Sequence, residues 1–68
     1  MKNGWIEDKK GVKRHYINNK LHNECGPAVI HTNGKVLYYQ HGKLHREYGP
    51  AIIYSNGEIK YFLNDEEF

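Results

Sequence analysis

The sequence predicts an all-β chain of tandem antiparallel hairpins. Three observations carry that prediction. The first is internal self-similarity at a 23-residue offset: Gly26-Pro27-Ala28-Val29-Ile30 recurs as Gly49-Pro50-Ala51-Ile52-Ile53. The second is Asn-Gly, at Asn33-Gly34 and Asn56-Gly57, flanked by alternating apolar residues. That pattern is the strongest short-range signal for a hairpin. The third is the lack of any capped segment with sustained 3.6-residue periodicity, so little or no helix is expected.

The same offset sets the units in order. Lys20-Leu21-His22 maps to Lys43-Leu44-His45, and Tyr16 maps to Tyr39 and then Phe62. Ile6 aligns with Val29 and Ile52, and Gly11 with Gly34 and Gly57. Three units follow, over approximately residues 3–25, 26–48 and 49–68, as one repeat domain spanning 1–68. Fixed periods of this kind mark repeat architectures. About six main strands, with short extra ones, are expected to form a single twisted meander sheet.

In the first unit the main turn falls at Lys10-Gly11. A two-residue loop there sets Glu7 opposite Arg14 and Asp8 opposite Lys13. Opposite charges across a ladder are mildly favourable, by about 0.2–1 kcal/mol, so this unit reads as a polar cap. In the second unit a two-residue loop at Asn33-Gly34 sets Ile30 opposite Leu37 and Val29 opposite Tyr38. In the third, Asn56-Gly57 sets Tyr54 opposite Ile59 and Ile53 opposite Lys60. A second turn follows in each unit, at Asn18-Asn19, His41-Gly42 and Asn64-Asp65, all turn-prone pairs. Lys43-Leu44-His45 then forms a short third strand with Leu44 across from Tyr39. Gly49-Pro50 opens the last hairpin, where proline is tolerated as the first residue of a strand.

Alternation along these strands sorts the side chains into two faces. One holds Ala28, Ile30, Leu37, Tyr39, Ala51, Ile53 and Phe62. The other holds Val29, Val36, Tyr38, Ile52, Tyr54, Ile59 and Tyr61. Both are substantially apolar, and a single-layer sheet hides only one of them. The surplus predicts an interface, because large exposed apolar patches mark interaction sites.

Composition limits what else the chain does. Sixty-eight residues bury only about 60% of the unfolded surface, so a small core is expected. Cys25 is the sole cysteine, which excludes an internal disulfide and points to a reducing compartment. No apolar N-terminal run and no span of roughly 20 apolar residues is present, so neither signal peptide nor membrane helix is expected. The expected location is the cytoplasm. Ten basic and eight acidic residues, net +2 and dispersed, do not announce a nucleic-acid binder. Six tyrosines argue against disorder.

The segment Tyr39-Gln40-His41-Gly42-Lys43-Leu44-His45-Arg46-Glu47-Tyr48-Gly49-Pro50-Ala51 resembles repeats of phage and giant-virus proteins, of the form N-G-K-L-H-R-E-x-G-P-A. It is similar to MORN and MORN-variant repeats, with their 23-residue period and one hairpin per repeat. The resemblance implies a scaffold for interactions. A small viral accessory protein acting on a host protein in the host cytoplasm would fit it.

The candidate partner-binding residues are Tyr38, Tyr54, Tyr61, Lys43, His45 and Arg46. Tyrosine joins an apolar body to a polar tip, which suits interfaces. Lys43, His45 and Arg46 sit beside a turn and would contact a partner or an anion. They equally serve to space neighbouring units. Five histidines lack the paired chelating spacing of a zinc site, so they read as loop residues, with His22 and His45 in equivalent places. Cys25 reads as a small apolar filler. No nucleophile motif is present: Ser55, the lone serine, sits beside a turn. The reading is a non-catalytic protein–protein interaction module without metal or cofactor, binding a host protein and self-associating. The alternatives are an oligomeric ligand or nucleotide sponge built on Lys43, His45 and Arg46, and a weak nucleic-acid binder with tyrosines stacked on bases.

Overall fold

A computed structural model describes residues 1–68 as eleven short strands joined by turns, without helix. The long strands are β1 (Gly4–Glu7) and β2 (Lys13–Ile17). The rest have two residues each: β3 (Lys20–Leu21), β4 (Val29–Ile30), β5 (Val36–Leu37), β6 (Tyr39–Gln40), β7 (Lys43–Leu44), β8 (Ile52–Ile53), β9 (Ile59–Lys60), β10 (Phe62–Leu63) and β11 (Glu66–Glu67). All pairings are antiparallel. The main sheet is an open meander in the order β1-β2-β4-β5-β8-β9, with β3 paired to β2. Two small hairpins, β6-β7 and β10-β11, stand off it. No helix is long and apolar enough to cross a membrane.

The six strands of the meander and the extra short strands match the expected plan. The register of the main hairpins does not. Each Asn-Gly turns through three residues rather than two. Gly34 N–H donates to His31 O at 3.1 Å, and His31 N–H donates to Lys35 O at 2.8 Å. Gly34 has φ 95°, whereas Asn33 stays at negative φ. This is a type I turn closed by a left-handed glycine, the usual three-residue hairpin loop. Asparagine serves here through its side chain: Lys35 N–H donates to Asn33 Oδ1 at 3.0 Å. The third unit repeats the device, with Gly57 N–H on Tyr54 O at 3.0 Å and Glu58 N–H on Asn56 Oδ1 at 2.9 Å.

In the first unit Asp8 plays that part from the other end of the loop. Its Oδ1 accepts Lys10 N–H at 2.8 Å and Val12 N–H at 3.0 Å, while Oδ2 meets Arg14 Nη1 at 3.0 Å. Glu7 therefore lies opposite Lys13, and Ile6 opposite Arg14. The expected pairs Glu7–Arg14 and Asp8–Lys13 do not form across the ladder. The Arg14 hydrogen bond, then the backbone donor of Val12, holds the Asp8 carboxyl below its ordinary value of 3.8.

One added loop residue swaps one strand of each hairpin to the other face. Val29 now faces Leu37, and Leu37 faces Ile52. These three are the buried large apolar side chains, and Val12, Leu21, Tyr39, Leu44, Tyr54 and Phe62 pack against them. The expected grouping of Ile30 and Ile53 with Leu37 is thus corrected. They line up instead with Val36 and Ile59 on the wetter face. Tyr54 stays with Val29 and Ile52, as expected, and packs against the core. Ala28 and Ala51 are fully buried where each Gly-Pro step meets the sheet.

The second turns behave as two-residue loops. Asn18 and Asn19 have φ of 51° and 68°, His41 and Gly42 of 53° and 82°, and Asn64 and Asp65 of 50° and 69°. Positive φ at both central residues defines the type I′ hairpin turn. Tyr39 lies opposite Leu44 as expected, with Tyr16 opposite Leu21 and Phe62 opposite Glu67 in the same places.

Two outcomes follow. Ile52→Ala should cost about 2–5 kcal/mol in chemical denaturation, while Ile59→Ala, outside the core, should stay within about 0.5 kcal/mol. Because the folded Asp8 pKa is depressed, its stabilisation is present above the unfolded value and lost as pH falls toward the folded one. An NMR titration should place Asp8 below 3.8, and Arg14→Gln should bring it back up.

Candidate functional site

The small hairpins are placed by a contact that recurs at each second turn. His41 N–H donates to His22 Nδ1 at 2.9 Å, and Asn64 N–H donates to His45 Nδ1 at 3.1 Å. Gly42 N–H donates to Leu21 O, and Asp65 N–H to Leu44 O, both at 2.8 Å. Each turn thus docks on the third strand of the unit before it. A histidine that accepts at Nδ1 carries its proton on Nε2. That nitrogen lies 3.5 Å from Glu24 Oε1 in His22, and 3.4 Å from Glu47 Oε1 in His45. His22 is buried at 4% exposure and meets the His41 ring edge-on at 4.6 Å.

At Asn18-Asn19 the N-terminal residues Lys2 and Asn3 take the place of that third strand. Asn18 N–H donates to Asn3 Oδ1 at 2.9 Å, and Asn19 N–H donates to Lys2 O at 3.0 Å. Lys2 N–H returns a bond to Asn19 Oδ1.

Arg46 does the work that Asn23 does one unit earlier. Asn23 Nδ2 donates to Pro27 O at 3.0 Å, and Arg46 Nη1 donates to Pro50 O at 3.2 Å. The Arg46 guanidinium lies 3.9 Å from the centre of the Tyr38 ring, a stacked cation–π contact. Gly49 leaves the room for it, since a Cβ there would come within 3.0 Å of Arg46 Cζ.

Of the six sequence candidates, Tyr38, His45 and Arg46 come together. They line an open cleft of about 460 Å³ between the loop at Asn23–Gly26 and the loop at His45–Tyr48. Lys43 is exposed on β7 opposite Gln40 and does not line the cleft. Tyr54 packs on the core, with Lys35 Nζ 4.8 Å from its ring centre. Tyr61 lies in the last unit, 6.2 Å from the Phe68 ring. The cleft carries Glu24 and Glu47 beside Arg46, and both nitrogens of His45 have partners within the chain. Little positive charge is left free there for an anion. Cys25, expected as a buried filler, is exposed at the cleft rim. Burial, with a smaller push from the Asp65 carboxylate, raises the Tyr39 phenol above 10.0.

The other grouping lies in the last unit. Ile59, Tyr61, Leu63 and Phe68 are exposed at 48%, 39%, 39% and 73%. The outer edge of β9 has no strand beside it. His15 N–H reaches Ala28 O and Tyr38 N–H reaches Ala51 O, each at 2.7 Å, but the matching Tyr61 N–H has no partner. Sequence reading singled out Tyr61 and missed its neighbours. The signal lay in the histidine column, where Phe68 stands in the place of His22 and His45. No family model, curated protein or solved structure matches the chain.

His22→Ala should cost about 1–3 kcal/mol, because it orphans a part-buried N–H. His22→Asn, which restores an acceptor, should lose less. Thermal melts of the two variants against the native chain check the order.

Proposed function

We propose that the chain is a non-catalytic protein–protein interaction module that docks its partner through the last unit. The observation that carries this reading is the coincidence of an open strand edge with four exposed apolar side chains. Ile59, Tyr61, Leu63 and Phe68 lie within ten positions of one another beside the unpaired β9 edge. An open edge offers main-chain hydrogen bonds to an incoming strand, and flanking apolar groups supply affinity and selectivity. Tyr61 and Phe68 supply the aromatic surface that interface centres favour.

The resemblance to repeats of phage and giant-virus proteins makes a host protein the proposed partner and a viral accessory role the proposed setting. Tyr38, Arg46 and His45 take a supporting part, because their contacts fix the spacing of the units that present this face. The anion-sponge and nucleic-acid readings gain no specific observation. Lys43 stands apart from His45 and Arg46, and Tyr54 is turned to the core.

The test is affinity capture with the native chain and with Tyr61→Ser/Phe68→Ser. Both substitutions lie outside the buried core, so the fold should be kept, as a circular-dichroism melt would verify. A stoichiometric protein held by the native chain should be lost by the double variant. Equal recovery by both would remove the last unit as the docking face.

A further inference from the structure

We propose that Met1–Asn3 caps the array against head-to-tail strand addition, in which β1 of one copy would extend the sheet beyond β9 of another. The proposal rests on reading the β9 edge as a docking edge, and names a second copy of this chain as an occupant.

The joints inside the sheet define what that edge accepts. Lys13 lies opposite Ile30, and Val36 opposite Ile53. Arg14 lies opposite Val29, and Leu37 opposite Ile52. The same register carried one unit further sets Ile59 opposite a residue in the Ile30 and Ile53 column, and Lys60 opposite one in the Val29 and Ile52 column. Within this chain, β1 supplies that strand type: Glu7 and Ile6 stand in those two columns. Only one edge of β1 is paired, to β2. Its Trp5 and Ile6 are exposed at 47% and 42%. In a joint of this register the free Tyr61 N–H meets Trp5 O of the second copy, as Tyr38 N–H meets Ala51 O.

Charge favours the same partner. The strand β11 carries exposed Glu66 and Glu67 in the columns where β3 and β7 carry Lys-Leu. The N-terminal end that it would approach presents exposed Lys20 on β3. Opposite charges at the two ends favour head-to-tail contact over contact between like ends.

The cap opposes this joint because one set of donors is wanted twice. Inside the array, Gly42 N–H and Asp65 N–H dock on Leu21 O and Leu44 O. The column continues to Glu67, whose carbonyl would receive Asn19 N–H of the second copy. That donor is already held by Lys2 O at 3.0 Å, and Asn18 N–H by Asn3 Oδ1 at 2.9 Å. Full docking therefore requires residues 1–3 to leave. A head-to-tail contact leaves a free head and a free tail on every dimer, so uncapped chains would grow further rather than stop at dimers.

The experiment is sedimentation equilibrium over a concentration series, with folding checked by circular dichroism. Asn3→Ala/Asn19→Gly removes both side-chain acceptors of the cap, and glycine suits the left-handed backbone at Asn19, φ 68°. Self-association should tighten by roughly tenfold, two exposed hydrogen bonds at the low end of their usual worth, with mass rising in unbroken steps. Asn19→Gly alone, in a column that already holds Gly42, makes the same test with less disturbance. On either background, Ile59→Glu should weaken assembly several-fold relative to Ile59→Lys, because it faces Glu7 of the arriving strand. Monomers at every concentration, a stop at dimer, or equal behaviour of the two Ile59 variants would overturn the proposal. If self-association fails while partner capture by Tyr61 and Phe68 persists, only this inference falls; if both fail, the docking edge itself is refuted.

Discussion

The arrangement hangs on a small contact: the two N–H groups at the tip of each second turn, held by the unit before it or, at Asn18-Asn19, by Lys2 and Asn3. A type I′ turn points its amides outward, and a turn at a molecule's edge would leave them to water. Here His22 and His45 take one amide and a backbone carbonyl takes the other. That contact fixes the small hairpins against their neighbours. It also sets Leu21, Leu44, Tyr39 and Phe62 over Val29, Leu37 and Ile52. So few buried apolar side chains supply only a modest hydrophobic term, as expected at this length. Directional bonds between units therefore carry a large share of the organisation.

The two ends of the array differ in how that contact is completed. At the N-terminal end Lys2 and Asn3 imitate a preceding unit. In the last unit the histidine column is filled by Phe68, and the Tyr61 amide is free. This asymmetry is the physical basis for placing the proposed interaction face on the last unit. The polar cleft between the two loops is less suited to that role. Its histidine and arginine are engaged in holding the chain, and its acids offset its one guanidinium.

Much of this was legible in the residues. The hairpin order, the second turns and the pairing of Tyr39 with Leu44 follow from turn chemistry and alternation alone. The register of the main hairpins was not. Asn-Gly serves both a two-residue loop, through positive φ at Asn, and a three-residue loop, through the Asn side chain and a left-handed Gly. Flanking residues do not separate the two, since Val29 and Ile30 are interchangeable in apolar character and size. One residue in the loop then decides which of them is core. The roles of Lys2 and Asn3 were hidden for another reason: they act through Asn19 and Asn18, well beyond the reach of local pattern. Cys25 was misplaced because small and apolar reads as buried, whereas a loop ahead of Gly26-Pro27 leaves it in water.

The central claim is that histidine Nδ1 accepts the turn amide of the next unit. The most direct measurement is the nitrogen-15 spectrum of the imidazoles, with scalar coupling across the hydrogen bond. His22 and His45 should both carry the proton on Nε2, with Nδ1 coupled to the amides of His41 and Asn64. Protons found on Nδ1 at neutral pH, with no coupling to those amides, would contradict the account.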